Sequence, residues 1–162
     1  MRGRLYDALA ARVSAADVFM DVSDIEPGVD FSVAIADAVG GCDVMLALIG
    51  PRWATAVTAE GSRRLDDPDD YVVVETAVAL ERDVRVIPVL IEGVSMPEAD
   101  SLPERLRGLA RRNAVQLSTV NWRTDVERLV EALHRTTPRS AAPEAPALGD
   151  PQCRSRGWRY SR

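Results

Sequence analysis

The chain contains no lysine: all twenty of its cationic side chains are arginine. That excludes any mechanism built on a Schiff-base lysine or a phosphate-binding lysine. It has two cysteines and a single histidine, too few for a disulfide framework or a zinc site. Cys42 falls between a helix-like and a strand-like run and reads as a buried free thiol, while Cys153 lies in a Pro- and Arg-rich tail. His134 falls near the end of the last predicted helix, where capping of carbonyls or solvent exposure is a simpler role than catalysis. No apolar run reaches the ~20 residues of a membrane span, and no signal peptide is visible at the start. No membrane association is therefore expected, and the cytoplasm is the default compartment.

What is present is an acidic body of ordinary size. The 162 residues suggest one domain, and 46% hydrophobic residues suffice for a packed core. Residues 1–134 carry 14 Arg against 23 acids, whereas residues 135–162 carry six Arg against two. An acidic body lacks the basic face that nucleic-acid binding needs, so no nucleic-acid partner is expected.

Along the chain, helix-like and strand-like stretches alternate. Residues 5–13 have helical spacing of apolar groups, and 17–21 read as a short strand. A turn-rich loop with Pro27-Gly28 follows, and Asp30 can cap a helix over 31–39 that Gly40-Gly41 would end. Residues 44–49 form a continuous apolar run, as in the buried middle of a parallel sheet. It stops at Gly50-Pro51-Arg52-Trp53. A polar stretch over 58–67 reads as a mobile loop. Then come a helix from Tyr71, a strand over 84–91, a helix over 104–112, a short strand over 114–117 and a helix over 123–134. Such alternation implies an α/β fold with a parallel sheet. From Thr136 onward, composition rich in Pro, Ala and Arg reads as a disordered tail or a linker stub. The expected division is therefore a domain over 1–135 and a tail over 136–162. Four strands are counted, and none precedes the first helix.

Glu75 is a carboxylate in the middle of the apolar run Tyr71-Val72-Val73-Val74-Glu75-Thr76-Ala77-Val78-Ala79-Leu80. Residues four apart share a helix face, so Tyr71 and Glu75 would place a ring beside an acid. That pairing can hold a ribose and a flat base. The plainer alternative sets Glu75 on the solvated stripe of an amphipathic helix.

Several segments, in order and at family-like spacing, resemble the bacterial branch of the TIR (Toll/interleukin-1 receptor) domain family. They are Val18-Phe19-Met20-Asp21, Asp24-Ile25-Glu26-Pro27-Gly28, Cys42 through Trp53, Asp66 through Glu75, and Val86-Ile87-Pro88-Val89-Leu90. The resemblance runs from about Arg4 to Leu133. It implies a flavodoxin-like, doubly wound parallel sheet of five strands. It also implies that residues 21–30, with Asp24, Ile25, Pro27 and Gly28, form the loop by which such domains self-associate and gate their site. Homotypic association with other TIR domains is the partner it suggests.

Many TIR domains hydrolyse NAD+ at the bond between nicotinamide and ribose, with NAD+ as substrate and no further cofactor or metal. The family's catalytic glutamate maps onto Glu75, and Tyr71 stands where many members carry tryptophan. Asp21 and the Arg52-Trp53 pair are counted with the substrate-binding residues. Arg52 would face the pyrophosphate and Trp53 the pocket floor; a surface ion pair and a core anchor are their structural alternatives. The resemblance also implies a first, central strand that this chain lacks, because Met1 falls within the family's first helix. The expectation is an N-terminally truncated domain with impaired activity. A non-catalytic scaffold acting by self-association is the alternative. A receiver domain is excluded by the missing lysine, and flavodoxin by the missing first phosphate loop. A deoxyribosyltransferase-like enzyme is a distant third possibility.

Overall fold

The computed structural model describes residues 2–12, 18–20, 31–135 and 157–161. Helix α1 (Arg2–Ala10) leads to strand β1 (Val18–Met20). Helix α2 (Phe31–Gly40) is followed by β2 (Cys42–Ile49), α3 (Tyr71–Glu81), β3 (Arg85–Ile91), β4 (Val115–Leu117), α4 (Trp122–His134) and β5 (Gly157–Ser161). Short 3-10 helices cover Arg64–Asp66, Ala99–Ser101 and Glu104–Arg111, the last where a helix over 104–112 is expected. The sheet is parallel throughout, in the order β1-β5-β2-β3-β4. This is the expected α/β, flavodoxin-like architecture.

Strand β5 is interior, second in the order, between β1 and β2. It pairs with β1 through Val18↔Trp158, Phe19↔Arg159 and Met20↔Tyr160. On its other side it pairs with β2 through Cys42↔Gly157 and then Val44↔Trp158 to Ala47↔Ser161, with a register shift between Cys42 and Val44. Two expectations are corrected here. The position between β1 and β2, expected to be empty, is occupied, and the residues that occupy it, 157–161, are strand where a disordered tail is expected. The physical reason is that β1 and β2 each present a row of backbone donors and acceptors, which a strand between them satisfies on both sides at once. Trp158 and Tyr160 alternate with Arg159, a period-two pattern of strand-favouring residues inside an otherwise Pro- and Ala-rich stretch.

Strands β2 and β3 form the centre of the two-sided core. Their alternation sends Met45, Ala47, Ile49, Val86 and Leu90 into a cluster with α2, α3 and the turn around Leu106 and Leu109. Val44, Leu46, Leu48, Ile87, Val89 and Ile91 go to the opposite cluster, with Leu5 and Leu9 of α1 and Val126, Leu129 and Leu133 of α4. Burial on both faces explains why these strands are continuous apolar runs. The Arg4 guanidinium lies over the Trp122 ring at 4.4 Å and adds a polar clasp between α1 and α4.

Helix α3 is buried on nearly every side, from Val72 to Ala77 and again at Ala79. Its apolar composition around the whole circumference matches that setting. Two polar side chains are buried with it, Glu75 and Thr76. The Thr76 hydroxyl has no hydrogen-bond partner among the described residues. An unsatisfied buried hydroxyl costs about 1–3 kcal/mol, so Thr76→Val, which keeps the shape and removes the orphan, is expected to raise stability by about 1 kcal/mol. A urea titration reads this as a higher midpoint at unchanged slope. Cys42 is a buried free thiol, as the sequence suggests, and its Sγ–H donates to the Ala38 carbonyl at 3.1 Å.

Candidate functional site

A cleft of about 600 Å³ opens at the carboxyl ends of β2 and β3, the end at which parallel sheets of this topology bind ligands. Leu48 and Ile91 form its base at the strand ends. One wall is the turn Gly50-Pro51-Arg52-Trp53, held by the Trp53 N–H donating to the Gly50 carbonyl at 3.0 Å and the Ala56 N–H donating to the Arg52 carbonyl at 2.8 Å. Arg64, Leu65, Asp70 and Val72 form the facing wall, and Glu92 closes the rim.

Asp70 organises that facing wall. It is the N-cap of α3: its backbone is extended and its carboxylate accepts the Val72 N–H at 2.9 Å. Its second oxygen accepts Arg64 Nε at 2.7 Å and Nη2 at 2.6 Å. In the sequence Asp70 stands out only as part of an acidic turn. The signal for its role was there, a carboxylate immediately before a helical apolar run. Asp70→Ala is expected to cost about 1–2 kcal/mol through the lost cap, and Asp70→Asn markedly less, because Asn also caps well. Thermal unfolding of the two variants side by side checks the difference.

Residues 58–67, expected as a mobile loop, carry fixed contacts. Val57 and Arg63 form an antiparallel bridge. Arg63 donates to Asp66 at 2.9 Å and to the Ser101 carbonyl at 3.0 Å, tying the segment to a distant part of the chain. The segment carries Arg64 and Leu65 to the cleft, which explains why it is held down. Glu92, also missed from sequence, has a left-handed backbone with φ 60°. Such strain in a non-glycine residue concentrates at functional sites. Its neighbour Gly93, at φ 76°, takes the second left-handed position of the same turn.

The predicted site residues are distributed as follows. Arg52 and Trp53 line the cleft together. Arg52 is exposed, and Trp53 is half-buried and also packs against the core cluster of α2 and α3. Glu75 is only 7% exposed, so the solvated-stripe alternative does not hold. It lies three residues beyond the cleft-lining Val72, about 4.5 Å further along the helix axis and on an adjacent face. Tyr71 is 52% exposed. The two residues expected to act as a pair thus share a helix side but differ in their surroundings, because α3 turns its first residue outward at the protein surface and buries the next. Asp21, Asp24, Ile25, Pro27 and Gly28 lie outside the described residues.

The cleft combines an arginine pair, one carboxylate fixed by capping, an exposed carboxylate at the rim and an indole. That set suits a ligand with an anionic part and a flat part. Among the described residues no three His, Cys, Asp or Glu side chains gather to hold a metal ion, and no helix is long and apolar enough to cross a membrane. A family model described as TIR domain matches residues 3–130 of the chain. No curated protein matches it.

Proposed function

The chain belongs to the TIR domain family of signalling proteins, and from that premise we propose that it is an NAD+-cleaving member of the bacterial type. It releases nicotinamide and leaves ADP-ribose or a cyclic isomer, in signalling or antiphage defence. The observation that carries this reading is Glu75, a carboxylate buried in an apolar helix one turn below a cleft lined by Arg52, Trp53 and Arg64. Burying a carboxylate is costly, so a fold that retains one there has a use for it.

The chemistry requires one such group. Nicotinamide leaves as a neutral ring, taking the electrons of the glycosidic bond, so its departure needs no proton. The ribose carbon it leaves becomes electron-poor, and a fixed carboxylate near the ribose hydroxyls stabilises that developing positive charge. Water then adds to the same carbon and gives up its proton to solvent. Glycosidases that expel an alkoxide need a second, protonated carboxyl; this reaction does not. Arg52 holds the pyrophosphate and Trp53 offers a flat wall, with Tyr71 at the margin of the same site.

A second reading, a non-catalytic scaffold that associates with other TIR domains through residues 21–30, draws on the exposure of Tyr71, a large ring at the surface that suits a protein neighbour as well as a substrate. Incubation of the purified chain with NAD+ and measurement of released nicotinamide, beside Glu75→Gln and Glu75→Ala, separates the two. Glutamate-dependent release identifies the enzyme. A chain whose self-association survives Glu75→Ala and which releases nothing identifies the scaffold.

A further inference from the structure

We propose that the slot between β1 and β2 is a strand-docking site with an exchangeable occupant, and that residues 157–161 of a second copy of this chain can fill it, giving a reciprocally strand-swapped dimer. The proposal rests on the order of the sheet. β5 lies between β1 and β2, yet it is joined to the rest of the described fold only through residues 136–156. A strand in the middle of a parallel sheet is usually fed by short connections from its neighbours. Here the rest of the described sheet and both helical layers are formed within residues 2–135, and the interior position between β1 and β2 is supplied from outside that segment.

The lengths favour exchange. Helix α4 follows the carboxyl end of β4 and runs back along the sheet, so Arg135 returns to the end at which β5 begins. From β4 to the β5 position is three strand spacings, about 14 Å. The 22 residue steps from Arg135 to Gly157 reach up to about 70 Å. The connection is therefore several times longer than the cis arrangement requires, and it also reaches the slot of an adjacent copy. The pairing energy is the same in either case, because the same five residues meet the same two edges. What separates the two states is the local concentration that a tether confers, typically on the order of millimolar. Exchange of an identical element through a long connection is the least costly route from monomer to dimer.

The register supplies a direct test. Gly157 stands opposite the free thiol of Cys42. Neighbouring strands are ~4.8 Å apart, within the Cα separation that a disulfide spans. The full-length chain carrying Gly157→Cys and Cys153→Ser is refolded from denaturant at about 1 µM and at chain concentrations on the order of millimolar, then oxidised and run on a non-reducing gel. At the lower concentration the bond is expected within one chain, with both thiols lost and the mass of a monomer. At the higher concentration roughly half of the chains are expected as covalent dimers, with peptide mapping placing the bond between Cys42 of one chain and position 157 of the other. The unaltered chain, refolded the same way, provides the check that needs no disulfide: a dimer on size exclusion that persists when diluted. Exclusively intramolecular bonds at both concentrations, with no persistent dimer of the unaltered chain, overturn the proposal. So do free thiols in a variant that circular dichroism shows to be folded, since the strand is then not in the slot.

Discussion

Glu75→Gln is expected to lower the rate of nicotinamide release by on the order of 10²–10³-fold while leaving the fold intact. Gln has nearly the same shape as Glu and keeps hydrogen-bonding capacity, so the packing around this buried position is preserved. What it loses is the negative charge. If that charge stabilises an electron-poor ribose carbon in a water-poor pocket, its removal acts on the transition state far more than on the bound substrate. The loss should therefore fall on kcat, with KM little changed. The unfolding midpoint, measured alongside, must remain close to that of the parent chain. A Glu75→Gln variant that releases nicotinamide at the parent rate would sink the enzymatic reading. So would a folded parent chain that releases none.

Arg159→Pro should be the most destabilising single substitution outside the two core clusters. Position 159 pairs with Phe19 on one side and Met45 on the other, so a donor removed there is missed whichever neighbour it served. Proline removes the N–H and leaves an acceptor of β1 or β2 unpaired, at a position flanked by strands on both sides. The expected cost is about 3 kcal/mol or more, a large part of the roughly 5–15 kcal/mol that holds a domain folded. Arg159→Ala keeps the backbone donor and serves as the control. The difference between the two variants in a urea titration isolates the backbone contribution. Indistinguishable midpoints would show that residues 157–161 do not support the sheet.

These two substitutions probe parts of the molecule that differ in how openly the sequence displays them. Strands β2 and β3 were legible because burial on both faces demands unbroken apolar runs, and 44–49 and 84–91 are such runs. The boundaries moved by a residue or two, to Cys42–Ile49 and Arg85–Ile91, since strand ends depend on the neighbour's length. Helix α3 was legible for the same reason, and the segments around it sufficed to point to the TIR family. Arg52 and Trp53 could be placed at a cleft because they leave a buried strand at its carboxyl end.

The sequence by itself determined the α/β alternation, the two buried strands and the apolar helix that carries Glu75, because each follows from local periodicity and burial. Only the tertiary structure decided that Glu75 is buried while Tyr71 is exposed, that Asp70 caps the helix and holds Arg64, and that Gly157–Ser161 occupies the interior position between β1 and β2. Each of those depends on contacts between residues distant in the chain. A strand's period tells which side chains share a face, but the edges it will join lie in other segments. A five-residue stretch among prolines carries no local mark of two neighbours more than a hundred residues away.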